Sequence, residues 1–315
     1  MKIRTIFCLL CALCLLVGCS ATPTPDAAAT PTPAAVAPTS TPQDPSQPFV
    51  FTADNFPRLD GSTATIPLGE AVQALLTGQP RADCDTYFTG TNSAYVNLMN
   101  GDCDIVVAYE MPDNARQIMT GNGEQLEIAQ IGLDALVFLI NSQNPVQDLT
   151  TAQLQGIYSG AYTNWNQVGG ADAEIAAYQR NPTSGSQTLM DKLVMGDIPL
   201  ATPPQEYYIN DMEGLVDAIA SVYNNTKPAI GYNVYYYVTQ MNTDPAISLL
   251  SVDGVAPTTA TIADGSYPFA NPFYVAIRAD APASSPERIL FDWLQSPDGQ
   301  ALVAHEGYAA GLARQ

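Results

Sequence analysis

Apolar residues along this chain fall into two rhythms. Ile66, Leu68, Ala71, Val72, Leu75 and Leu76 recur at helical spacing and stop at Gly78-Gln79-Pro80, which predicts a helix over 66–76. The same spacing predicts helices around Tyr95–Met99, 188–195 and 212–223, and two terminal helices over 286–293 and 297–306. Between them lie short continuous apolar runs that read as buried strands: 103–109 with its core Ile105-Val106-Val107-Ala108, then 133–140, 175–178 and 273–277. Phe49–Phe56 reads as an entry strand and loop, and Thr86-Tyr87-Phe88 as a further short strand. Strands alternate with helices throughout, so the expected class is α/β with mainly parallel sheets.

The first 48 residues carry neither rhythm of a fold. Lys2 and Arg4 precede an apolar run from Ile6 to Val17, too short to span a bilayer as a mature helix, and the run ends in Leu16-Val17-Gly18-Cys19. That ending resembles a bacterial lipobox, which implies a signal peptide over 1–18 and lipid attachment at Cys19; the alternative is a plain secretory signal that contains cysteines. Either reading takes the protein out of the cytoplasm. From 19 to 48 the chain is dominated by Ala, Thr, Pro, Ser and Gln without periodicity, and is expected to be an extended tether.

Of the 315 residues, about 265 remain for the fold, enough for two lobes rather than one small core. The formal net charge is −20, and losing Lys2 and Arg4 takes it to −22. Such acidity argues against nucleic acid and against an anionic membrane surface as partners. It also means that any anion site must prevail by local geometry over the global field. Six cysteines are present; Cys8, Cys11 and Cys14 lie in the signal. Cys84 and Cys103 remain, either paired as a disulfide in an oxidising compartment or buried as two separate thiols.

Candidate chemistry concentrates at 178–190, Tyr-Gln-Arg-Asn-Pro-Thr-Ser-Gly-Ser-Gln-Thr-Leu-Met. Strand, small-residue loop and helix in that order deliver backbone N–H groups and a positive helix end to one point. Arg180 adds a planar donor fork, Ser184 and Ser186 add hydroxyls, and Gly185 allows close approach. Every one of these groups donates, so the fitting guest is a small oxyanion; an Asn-Pro turn with a serine N-cap is the plainer alternative. Ser62 and Thr63, after Gly61, open another helix, and Thr89–Ser93 form a third polar loop before a helical segment. Glu110 closes the 103–109 strand, where α/β sheets place their ligands; a solvated loop acid is the alternative.

Two blocks carry a family resemblance. One is Asn144-Pro145 with Leu149-Thr150, Gln153-Leu154, Ile157-Tyr158-Ser159-Gly160, Asn164-Trp165 and Val168-Gly169-Gly170; the other is Arg180 with Ser184-Gly185-Ser186. Weaker matches are Gly61-Ser62-Thr63, Thr89–Ser93 and Tyr267-Pro268. From about Pro57 to the end, the chain resembles the phosphate-binding proteins of ABC-type phosphate importers, the PstS-like group of the type II periplasmic-binding-protein fold. The resemblance implies a mainly parallel sheet in each of two lobes, 49–138 plus 268–315 and 139–267, joined by a two-strand hinge. It implies inorganic phosphate bound by Ser62, Thr63 and either Ser93 or Thr91 from the first lobe, and by Arg180, Ser184, Gly185 and Ser186 from the second. It further implies an acid that accepts the proton of hydrogen phosphate and so disfavours sulfate, here Glu110 where the family commonly has Asp. The partners implied are ABC permease subunits and, through a lipid anchor, the membrane, with the protein acting as a monomer.

Catalysis is the reading that the residues argue against. His305 is the lone histidine, it falls in the terminal helix, and no Gly-x-Ser-x-Gly elbow occurs, so neither serine has a base. No His/Cys cluster suits a metal and no cofactor is expected. A tethered sensor of the same fold, or a binder of another oxyanion, are the other readings.

Overall fold

A computed structural model describes residues 49–84, 86–222 and 228–309. The signal segment 1–18, the tether 19–48 and Cys19 lie outside the described residues. The strands are Leu59–Gly61 (β1), Ile105–Ala108 (β2), Leu126–Asn141 (β3), Asp148–Leu149 (β4), Ala176–Ala177 (β5), Gln179–Arg180 (β6), Tyr208–Ile209 (β7), Ala229–Val234 (β8), Ile247–Leu249 (β9), Ser251–Val252 (β10) and Ala270–Arg278 (β11). The α-helices are Ile66–Thr77 (α1), Thr91–Asn100 (α2), Asp113–Asn122 (α3), Thr151–Tyr158 (α4), Gly185–Leu189 (α5), Met212–Val222 (α6), Thr259–Ala263 (α7), Pro286–Gln295 (α8) and Pro297–His305 (α9). α5 continues as a π-helical stretch over Met190–Met195.

Local chemistry accounts for several of the boundaries. Thr150 and Gln153 form a reciprocal capping box at the start of α4. Ser285 and Ser296 cap α8 and α9, each with proline in the first turn. α1, α2 and α3 end on left-handed glycines at 78, 101 and 123.

One seven-stranded sheet runs in the order β1-β2-β11-β3-β8-β5, with β9 also on β3. β3 organises it: residues 126–135 pair with β11, and residues 136–141 pair with β8 and β9. The change of partner falls between Ala135 and Leu136. There the chain passes a second time, with Leu136 N–H donating to Phe269 O and the Tyr267 hydroxyl to Leu136 O. Leu136–Ile140 are fully buried in the main core. A second apolar cluster, with Tyr95, Leu98, Val106 and Ala276, lies between α2 and the face of β2 and β11.

The class is α/β as expected, but the sheet is mixed rather than mainly parallel. β1/β2 and β5/β8 are parallel, whereas β11 is antiparallel to both β2 and β3, and β3 is antiparallel to β8 and β9. Parallel neighbours need a crossover through a helix, and β3 and β11 instead carry the chain directly past one another.

Two expected strands are loops. Residues 49–56 turn on Thr52 O, which accepts from Asn55 and Phe56 N–H, and Phe49, Phe51 and Phe56 gather into a ring cluster with centroids 4.8 and 5.6 Å apart. Residues 86–88 are irregular: Tyr87 is exposed, while Phe88 is buried against Gly61 and Gly69, where an added Cβ would meet its ring at 2.9 and 2.6 Å. The cysteine pair is likewise two separate thiols. Cys103 is buried beneath α2 with Sγ towards Ala94 O, and half-buried Cys84 turns its sulfur to Pro80 O beside α1.

Candidate functional site

The site begins where β1 meets β2. Ser62 N–H continues the ladder by donating to Val107 O at 3.1 Å, and a side chain at Gly61 would collide with that same carbonyl. Gly61 is therefore a close-approach glycine that lets the Ser62–Thr63 turn sit flush on the strand end. The next loop is tied to it by Gly90 N–H donating to Gly61 O at 3.0 Å. Asp60, 4% exposed, takes four donors: Gly61 N–H and Thr89 N–H at 2.7 Å, the Thr89 hydroxyl at 2.7 Å and Asn97 Nδ2 at 2.9 Å. This carboxylate holds the two loops as one unit.

Gly90, at φ 91°, introduces α2 without a side-chain cap. The first-turn N–H groups of a helix have no intrahelical acceptor, so this end stays open to a guest. The start of α5 approaches it: Gly185 lies against Thr91, whose Oγ1 would be 2.7 Å from a Cβ at 185. Ser184 caps α5 by accepting from Gln187 N–H at 3.1 Å.

Arg180 comes from β6 and is 5% exposed. Its Nη1 donates to Ser186 Oγ and its Nη2 to Asn210 O, both at 3.2 Å, and its Nε has no partner. Since Ser186 Oγ accepts from the guanidinium, its own proton is free to be donated outward. No ion pair to Arg180 occurs among the described residues. Burial pulls its pKa below the usual arginine value, with Tyr232 and then Asp211 acting in the opposite sense.

These elements enclose a cavity of ≈ 370 Å³ lined by Ser62, Thr63, Thr91, Ser93, Arg180, Ser184, Gly185 and Ser186. Eight of the nine sequence candidates thus face one space. The ninth is a correction. Glu110 is outside this cavity, ion-paired with Arg116 at 3.1 Å and Lys192 at 2.9 Å, and the Tyr274 hydroxyl approaches it at 3.4 Å. Tyr109 lines the cavity, and Glu110, next to it in the bend that follows β2, turns to the other side.

The lining also holds Thr89 and Asn181, which lie in loops that the sequence singled out, and Tyr109, Asp211, Glu213 and Tyr237, which sequence reasoning passed over. Asp211 Oδ1 accepts from Gly214 N–H at 2.7 Å at the start of α6. The visible signal for it was an acid just before an apolar helical pattern; nothing marked Tyr109, Glu213 or Tyr237. Chemically, the cavity offers hydroxyls, helix N-termini and one buried guanidinium on one side, with exposed acids at Asp211 and Glu213.

A family model described as the PBP superfamily domain matches residues 40–295. The chain is 26% identical over 252 residues to the phosphate-binding protein PstS of Bacillus subtilis, covering 79% of each. A crystal structure from Clostridium perfringens, described as a phosphate ABC transporter substrate-binding protein with bound phosphate, is similar at TM-score 0.64 and 26% identity, covering 81% of this chain and 98% of that one. An ABC-type phosphate transport receptor from Vibrio cholerae shares the fold at TM-score 0.61 and 24% identity, covering 80% and 99%.

Proposed function

The chain belongs to the PBP superfamily and is PstS-like, and from that membership we propose that it captures inorganic phosphate in its cleft and delivers it to an ABC importer. The observation that carries the reading is Arg180: a guanidinium buried to 5% exposure, with its Nε unpaired and no ion pair among the described residues. A buried charge with no direct ion pair is costly, so the geometry favours an anionic guest that completes it. Charge-assisted donors from Arg180 and Ser186, together with the open start of α2, match the oxygens of a tetrahedral oxyanion. The wider reading has residues 49–138 plus 268–315 and 139–267 as two lobes closing on the ligand. The partner change in β3 and the return passage at 267–270 support a hinge there. The protein acts as a monomer outside the cytoplasm, held to the membrane by lipid on Cys19, and binds rather than catalyses. Isothermal calorimetry of the full chain with phosphate tests the core of this reading; a flat titration at millimolar phosphate overturns it.

A further inference from the structure

Asp134 stands beside the partner change in β3 and is 2% exposed. Its Oδ1 accepts from Ala135 N–H at 2.8 Å and Tyr236 N–H at 3.0 Å, and its Oδ2 accepts from the Tyr109 hydroxyl at 2.6 Å. It therefore ties together three segments: the end of β2, the middle of β3 and the turn after β8.

The groups around this carboxyl are neutral or acidic. Tyr109 faces it from the bend after β2, Tyr236 from the helical turn after β8, and Tyr308 from the segment after α9, with its ring stacked on that of Tyr236 at 3.7 Å. Asn271 is its cross-strand neighbour on β11. Glu306, whose carbonyl accepts the Tyr236 hydroxyl, carries its own charge paired to Arg81 at 2.9 Å. No ion pair to Asp134 occurs among the described residues. Burial raises its pKa to about 6, against hydrogen bonds from Tyr109, Ala135 and Tyr236 that lower it.

Tyr109 connects this carboxyl to the cleft. Its hydroxyl is on Asp134, and its ring lines the cavity, with Cδ2 3.7 Å from the Cβ position of Gly185. One tyrosine side chain thus separates the carboxylate from the cavity at the start of α5.

We propose that capture of an oxyanion in the cleft is coupled to partial uptake of a solvent proton at Asp134, so that binding strengthens as the medium becomes weakly acidic. The proton goes to Oδ2, which then donates to Tyr109 Oη; the hydrogen bond is kept with its direction reversed, and the tyrosine's own proton stays on the phenol. Two negative charges roughly 10 Å apart in a protein interior shift each other's pKa by about one unit, so an anion in the cleft raises that of Asp134. By linkage, the protonated form binds the anion more tightly.

This inference rests on the phosphate reading, and one experiment separates the two. Phosphate binding to the full chain is measured calorimetrically at pH 6.5 in buffers of different ionisation enthalpy, for the wild type and for Asp134→Asn. The proton change of phosphate itself is common to both proteins. The wild type is expected to take up about half a proton more than the variant. Wild-type binding with equal uptake in both proteins overturns the inference alone, and no wild-type binding overturns the phosphate reading and this inference with it. Should Asp134→Asn not fold, the ¹³C carboxyl titration of Asp134 in the wild type decides the matter. Its midpoint rises by about one unit on adding phosphate, and an unmoved midpoint refutes the coupling.

Discussion

Gly185 rests so closely on Thr91 that a methyl group at 185 would lie 2.7 Å from the threonine hydroxyl. The two residues begin α5 and α2, the helix ends that meet at the cleft. Gly185→Ala must push them apart. Phosphate affinity is expected to fall tenfold or more while thermal stability changes little, because Gly185 is only half-buried. Wild-type affinity in calorimetry would show that the meeting of these ends is irrelevant to binding.

Arg180 is the cationic donor on which the proposed function turns. Replacing it by alanine removes a buried charge-assisted contact and is expected to weaken phosphate binding at least tenfold, ~1.4 kcal/mol or more. Arg180→Lys keeps the charge but not the fork that reaches both Ser186 and Asn210, so it is expected to recover only part of the loss. Titration of both variants against the wild type checks the order.

Glu110 gives a prediction of the opposite kind. Its carboxylate is spent on Arg116 and Lys192 rather than on the cleft. Glu110→Gln is therefore expected to leave the ratio of phosphate to sulfate affinity unchanged. A ratio that narrows several-fold in competition calorimetry would return this acid to the site.

The two thiols differ in reactivity. Burial pushes Cys103 up to about 12, and burial also raises half-buried Cys84, by less. In the folded, non-reduced protein a thiol reagent is expected to label Cys84 slowly and Cys103 only after unfolding. Failure of both to react in denaturant without reductant would reveal a disulfide.

Asp134 also makes stability depend on pH. Its folded pKa of about 6 lies above the ordinary 3.8, so the folded state holds the proton more tightly than the unfolded one. The contribution is complete below about pH 4 and is lost as pH rises through 6, a cost on the order of 3 kcal/mol. Relative to the wild type, Asp134→Asn should gain stability over that window and then level off. Urea midpoints at pH 4, 5, 6 and 7 measure it, and a difference that is flat with pH would falsify the assignment.

Much of this was legible in the residues. Helical spacing located α1, α6, α8 and α9 to within a residue or two, because each packs one apolar stripe on the core. α3 escaped notice: among its ten residues only Ala115 is buried, so it leaves almost no periodic trace. The loops at 62–63, 91–93 and 180–186 announced themselves by clustering hydroxyls and glycine before helices, a local chemistry that needs no partner to be recognised.

What sequence alone determined, then, was which short segments are built to donate hydrogen bonds. Which of them share a cavity was decided by the tertiary structure, since 118 positions separate Ser62 from Arg180 and they lie beside different sheets that only the folded chain brings to one cavity. Direction was decided there too. Tyr109 and Glu110 are adjacent in the bend after β2, and the fold sends one into the cleft and the other away from it. A linear string of residues names both but not which way each turns, which is set by what packs around them.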